Sequence, residues 1–115
     1  MVVSQGDVCW TALPAPTGSG PGYSRPAIVV QGDALNASGL ATVVVVPMTS
    51  NLRWASARGN VLLPSERTGL PADSVANVSQ IVSIDRGLLT ERIGHLYESE
   101  TQSVLAGIDV VLGRR

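Results

Sequence analysis

The sequence predicts a small, mostly-β α+β domain: short strands rolled into a barrel or sandwich, with one helix packed on it. Three observations carry this. Apolar runs of strand length recur between glycine- and proline-rich turns. The apolar residues are Val, Leu, Ile and Ala, with no Phe and two each of Trp and Tyr, and the β-branched ones among them suit strands. Helical periodicity is clear only near the C-terminus.

Gln5-Gly6-Asp7 reads as a turn before a first strand from about Val8 to Leu13. The segment Pro14 to Gly22 contains almost no strand or helix former, so it reads as a long flexible loop of the kind that serves binding. Its glycines do not make a phosphate cradle, because a strand follows where a helix N-terminus would be needed. A second strand runs from Arg25 to Gln31, and Gly32 to Gly39 is a loop holding Asn36. The third strand is Thr42 to Asn51, TVVVVPMTSN. Four consecutive valines imply burial on both faces, and Pro47, lacking an N–H, should stop or bulge the strand. Leu52 to Arg58 is a connection, with Trp54 exposed or half-buried. Asn60 to Leu63 is a short strand, and Pro64 to Pro71 is turn-rich.

Ser74 to Ile84 alternates as one strand, with Ala76, Val78, Gln80, Val82 and Ile84 on the inner face. Gln80 interrupts that face and needs a partner or a ligand. Thr90 to Leu96 is the last strand. Ser99 and Gln102 form a capping-box pattern, after which Val104, Leu105, Ile108, Val111 and Leu112 share one helical face. Gly113 is the expected stop.

The 115 residues suit a single domain, 1–115, with one core. At 44% hydrophobic and 15% charged, the chain is not disordered. The formal net charge of −1 argues against a duplex-DNA binder. All eight basic residues are arginines. Arg25, Arg53, Arg58 and Arg67 share a region whose acids are Asp7, Asp33 and Glu66, so a local positive groove is compatible with that total. One cysteine, Cys9, forbids an internal disulfide and reads as buried. No apolar run spans a membrane and no secretory signal is visible, so the cytoplasm is the expected compartment.

The well-marked enzyme templates fail. His95 stands alone and reads as a surface or packing group. One Cys, one His and scattered carboxylates make no zinc site. Asp33 and Asp73 lie in turns, where Asp serves local hydrogen bonds. What remains is arginine with hydroxyls and amides. Guanidinium presents a planar fork matched to phosphate oxygens, and Thr or Ser hydroxyls can donate to the same group. Such a set can stabilise charge on a pentavalent phosphorus, best where the substrate brings its own nucleophile, as the RNA 2′-hydroxyl does. The strand starting at Arg25-Pro26 and the strand ending in Thr49, Ser50 and Asn51 are expected to meet at one site.

The ordered set Gly6-Asp7-Val8-x-Trp10, Gly18-Ser19, Arg25-Pro26 plus an aliphatic run, Val46-Pro47-Met48-Thr49-Ser50-Asn51, Gly59-Asn60-Val61-x-Leu63, Gly69-Leu70-Pro71-x-Asp73-Ser74-Val75, Asn77-Val78-Ser79-Gln80-Ile81 and Arg92-Ile93-Gly94 resembles the MazF/PemK family of toxin endoribonucleases, from Gly6 to Gly113. The resemblance implies an SH3-like β barrel with a C-terminal helix, acting as a homodimer. It implies sequence-specific, metal-independent cleavage of single-stranded RNA without a cofactor, leaving a 2′,3′-cyclic phosphate. It implies a cognate antitoxin whose flexible C-terminal segment occupies the RNA groove, with DNA reached only through that antitoxin. By position, Arg25 and Thr49 match the family's catalytic pair, and charge stabilisation is the role expected of Arg25. Gly18, Ser19 and Tyr23 fall on the loop beside the groove, and Ser50, Asn36 and Gln80 are further candidates for RNA contact. Family members often carry Gln-Asn-Asp where this chain has Gln31-Gly32-Asp33, which leaves base preference open.

Two other functions share such a scaffold: a related toxin that poisons DNA gyrase by protein contact, and an SH3-like binding module without activity. The Arg-Pro strand start and the Pro-x-Thr-Ser strand end favour the nuclease. Trp10 reads as core. Trp54 fits dimer contact, antitoxin contact and ordinary surface equally.

Overall fold

A computed structural model describes residues 1–15, 18 and 23–115. Seven strands form one curled antiparallel sheet, with strand order β4-β5-β3-β2-β1-β7 and β6 beside β3. They are β1 (Asp7–Ala12), β2 (Ser24–Val29), β3 (Thr42–Thr49), β4 (Val61–Leu63), β5 (Ser74–Ala76), β6 (Val82–Asp85) and β7 (Leu89–His95). One-turn helices α1 (Asp33–Asn36) and α2 (Ser65–Thr68) sit in connections, and α3 (Glu98–Val111) closes the chain. The expected barrel-like architecture with a C-terminal helix is what the chain forms, as a curled half-barrel.

The valine run is buried on both faces, as its composition requires. Val43 and Val45 join Val3, Cys9, Ala27, Val29, Ile84 and Leu89 on one side. Val46 and Met48 join Val8, Ile28, Leu63, Val78 and the α3 residues Val104 and Ile108 on the other. Pro47 does not end β3. In an extended strand one residue's N–H and C=O point to the same side, and the Pro47 carbonyl accepts from the Asn77 N–H at 3.0 Å. On that side β6 pairs only up to Val45 and β5 only from Met48. Pro47 therefore occupies the gap where β3 changes partner, and its missing N–H breaks no ladder bond.

That partner change also divides the expected Ser74–Ile84 strand. β5 pairs with the end of β3 and β6 with its start, and a 3-10 turn, Val78–Gln80, joins them. Asn60 holds the break: its Oδ1 accepts from the Val78 N–H at 3.0 Å and its Nδ2 donates to Asn77 Oδ1 at 3.3 Å. Helix α3 begins earlier than the Ser99 pattern predicts. Tyr97 is its cap residue, and the Tyr97 N–H donates to the Glu100 carboxylate at 2.9 Å. Val111 and Leu112, expected on the buried face, are exposed. Gly113, at φ 73°, stops the helix as expected.

Candidate active site

Pairing of β1 with β2 sets Thr11 opposite Arg25, and pairing of β2 with β3 sets Ala27 opposite Pro47. Arg25 and Thr49 each lie two residues beyond that last pair, at the same end of the two strands. Both residues line one cleft of about 340 Å³, and the two expected strand ends meet there. Ser24, Pro26, Met48 and Ser50 line it from the same two strand ends, Trp10 from β1, and Leu70, Pro71, Ala72 and Ser74 from the approach to β5.

Each member of the pair is held by a local bond. The buried Thr11 hydroxyl donates to the Arg25 carbonyl at 2.7 Å, fixing the backbone from which the guanidinium reaches. No ion pair among the described residues involves Arg25. Among the described residues it is the single charged residue lining the cleft, so the cleft presents positive charge to an anion. The Thr49 hydroxyl oxygen accepts from the Asn51 N–H at 3.1 Å, which leaves its own O–H free to donate. A half-buried guanidinium fork and a hydroxyl donor together make a site for one phosphate.

The other expected site residues distribute unevenly. Ser50 lines the cleft with an exposed side chain. Tyr23 is exposed just before β2 in the left-handed region, φ 60°, and its N–H donates to the Pro14 carbonyl at 3.1 Å. Gly18 also has φ 60°, with no described residue within 4 Å of where a side chain would stand. Ser19 lies outside the described residues. Asn36 is not part of the cleft lining: it is buried, accepting from Gln31 Nε2 at 3.0 Å and donating to the Gln31 carbonyl at 2.9 Å. Gln80 is half-buried in the turn between β5 and β6 and does not line the cleft either. Gly32 opens α1, also away from the cleft. Of the expected groove arginines only Arg25 lines the cleft; Arg58 does not, Arg53 stacks over Trp54 at 5.2 Å, and Arg67 stacks over Tyr97 at 4.3 Å with Glu100 at 3.5 Å.

Sequence reasoning missed Trp10 as a cleft residue. Trp10 is core-packed as expected, against the cluster of Val8, Met48 and Leu70, but it also lines the cleft, so one side chain serves both. It also missed Leu70, Pro71 and Ala72, whose turn sequence carries no sign of which strand ends it will cover.

Residues 4–112 match the family model described as PemK-like, MazF-like toxin of type II toxin–antitoxin system. The chain is 44% identical over 112 residues to endoribonuclease MazF6 of Mycobacterium tuberculosis, covering 97% of this chain and 98% of that protein. It is 32% identical to endoribonuclease EndoA of Bacillus subtilis, covering 97% and 96%. Among solved structures, MazF from Deinococcus radiodurans superposes with a TM-score of 0.82 at 23% identity, covering 98% of each chain. A mycobacterial endoribonuclease in complex with its cognate antitoxin superposes with a TM-score of 0.78 at 18% identity, covering 98% and 97%. With a family match across almost its whole length and full-length relatives above 30% identity, this chain belongs to the PemK/MazF family of type II toxin–antitoxin toxins.

Proposed function

We propose that this chain is the endoribonuclease toxin of a toxin–antitoxin pair, cutting single-stranded RNA with the RNA's own 2′-hydroxyl as nucleophile. The observation that carries the reading is that Arg25 and Thr49 line one cleft that has no acidic side chain among its described lining residues. The 2′-oxygen attacks the adjacent phosphorus and the bond from phosphorus to the 5′-oxygen breaks. The products are a 2′,3′-cyclic phosphate and a 5′-hydroxyl, and overall one proton moves from the 2′-oxygen to the 5′-oxygen. Negative charge grows on the non-bridging oxygens between these events. The Arg25 fork and the Thr49 hydroxyl are donors suited to that charge. Guanidinium does not surrender a proton at ordinary pH, so Arg25 acts by charge and hydrogen bonding. Because the substrate brings the nucleophile, the reaction as proposed needs no metal.

In this reading the toxin is a cytoplasmic homodimer, silenced when an extended antitoxin segment fills the same cleft. Relatives named as endoribonucleases support the activity, and a neighbour solved with its cognate antitoxin supports the pairing with an antitoxin. The test is incubation of purified protein with a mixed transcript in chelator. Wild type should cut it, and Arg25→Ala and Thr49→Ala should each lose about 100-fold or more with unchanged circular dichroism. A transcript left whole by the wild type would favour the gyrase-poisoning toxin or a binding module. Full activity in both variants would remove the mechanism.

A further inference from the structure

The aromatic residue in the cleft has no part in the chemistry just described. Trp10 sits mid-strand, opposite Pro26 on β2 and Glu91 on β7, and its carbonyl accepts from the Thr90 hydroxyl at 3.3 Å. Its ring packs against the core cluster containing Met48 and Leu70, but only part of it is buried. The remainder borders the cleft with Arg25 and Thr49. A tryptophan used purely as core usually finds a partner for its indole N–H. Among the described residues this N–H has no partner.

We infer that Trp10 is the stacking platform for the nucleobase next to the scissile phosphate, so that the cleft is a phosphate site joined to a one-base subsite walled by Trp10, Leu70 and Pro71. This rests on the RNA reading above. Base–aromatic stacking accepts every base, because each has a π-face. Single-stranded RNA is commonly held by unstacked bases on aromatic rings. The cleft volume of about 340 Å³ lies at the small end of ligand sites, which suits one nucleotide. The indole N–H is left to donate to an acceptor on the bound base. Stacking of this kind acts on binding: it holds the nucleotide whose phosphate Arg25 and Thr49 engage, without donating to the developing charge.

Two tryptophans are present, so the experiment uses Trp54→Phe protein, in which Trp10 is the single indole fluorophore. It is titrated with randomised 2′-O-methyl hexaribonucleotides, which cannot be cut, and with an abasic 2′-O-methyl sugar–phosphate chain of equal length. The base-bearing chains should quench Trp10 emission and the abasic chain should not. In parallel, Trp10→Leu should raise KM for a mixed transcript by roughly 10- to 100-fold with kcat nearly unchanged. Trp10→Phe should restore most of the loss, with thermal melting to verify that both variants fold. Equal response to the two chains, or a Trp10→Leu protein that loses only kcat, overturns the subsite. The quenching result does not depend on whether wild type cuts the transcript. Failure of the subsite is thereby separated from failure of the nuclease reading.

Discussion

Asp7 Oδ1 lies 2.8 Å from His95 Nδ1 across the seam between β1 and β7. The two ends of this contact live in different media. The Asp7 side chain is 3% exposed and that of His95 57%. Asp7 Oδ2 also accepts from the Ser4 N–H at 2.8 Å and meets Arg92 Nη1 at 3.5 Å. The buried carboxylate thus ties the N-terminal segment to the last strand, and the lone histidine is one of its exposed partners. Asp7→Ala should cost about 1–3 kcal/mol by stranding the Ser4 donor. His95→Ala should cost about 0–1 kcal/mol, because the exposed partner exchanges the contact for water. Denaturant titration of the two variants gives the comparison, and equal losses would contradict the argument.

Arg25 tests whether the cleft needs a guanidinium or only a positive charge. Arg25→Lys keeps the charge and removes the planar two-donor fork. Its cleavage rate should fall about 10- to 100-fold, less than the loss in Arg25→Ala, with unchanged stability. A lysine variant as fast as wild type would mean that charge alone suffices.

Gly107 on α3 meets Gly59 backbone to backbone, and a Cβ placed on Gly107 would collide with the Gly59 carbonyl oxygen. Alanine is the better helix former by about 1 kcal/mol. The clash is with backbone, which cannot rotate away, so overpacking of roughly 1–3 kcal/mol or more should win. Gly107→Ala should therefore unfold at lower denaturant than wild type. Gly113, where an added Cβ meets nothing but φ is 73°, should tolerate Asn far better than Val.

Cys9 is fully buried. Burial, with the nearby Asp7 carboxylate adding to it, pushes its thiol from 9.0 up to about 11. A group whose folded pKa is raised contributes stability that is complete below the unfolded pKa and lost as pH rises toward the folded one. Wild type should lose stability between about pH 9 and 11 relative to Cys9→Val, measured as the difference between their denaturant midpoints at each pH. Its thiol should also resist alkylation in the native state. Parallel pH curves for the two proteins would show that the thiol does not ionise on unfolding in this window.

The sequence by itself settled the local and the inherited features of this protein. Val43 to Val46 reads as a strand buried on both faces, because its four β-branched side chains and the flanking Gly39 and Pro47 favour a short strand over a helix. The 3.6-residue spacing of Val104 and Ile108 required a helix against that sheet, and the ordered motifs from Gly6 to Gly113 carried the family. Tertiary structure decided what depends on register. It put Pro47 in the gap between two partner strands, broke Ser74–Ile84 where β3 changes neighbours, turned Asn36 inward to Gln31, and set Trp10 between the core and the cleft beside Arg25 and Thr49. Propensity and periodicity act over a few residues and choose an element and its buried face. Which distant residues then face each other is set by strand pairing across the whole sheet, and no local stretch of chain encodes it.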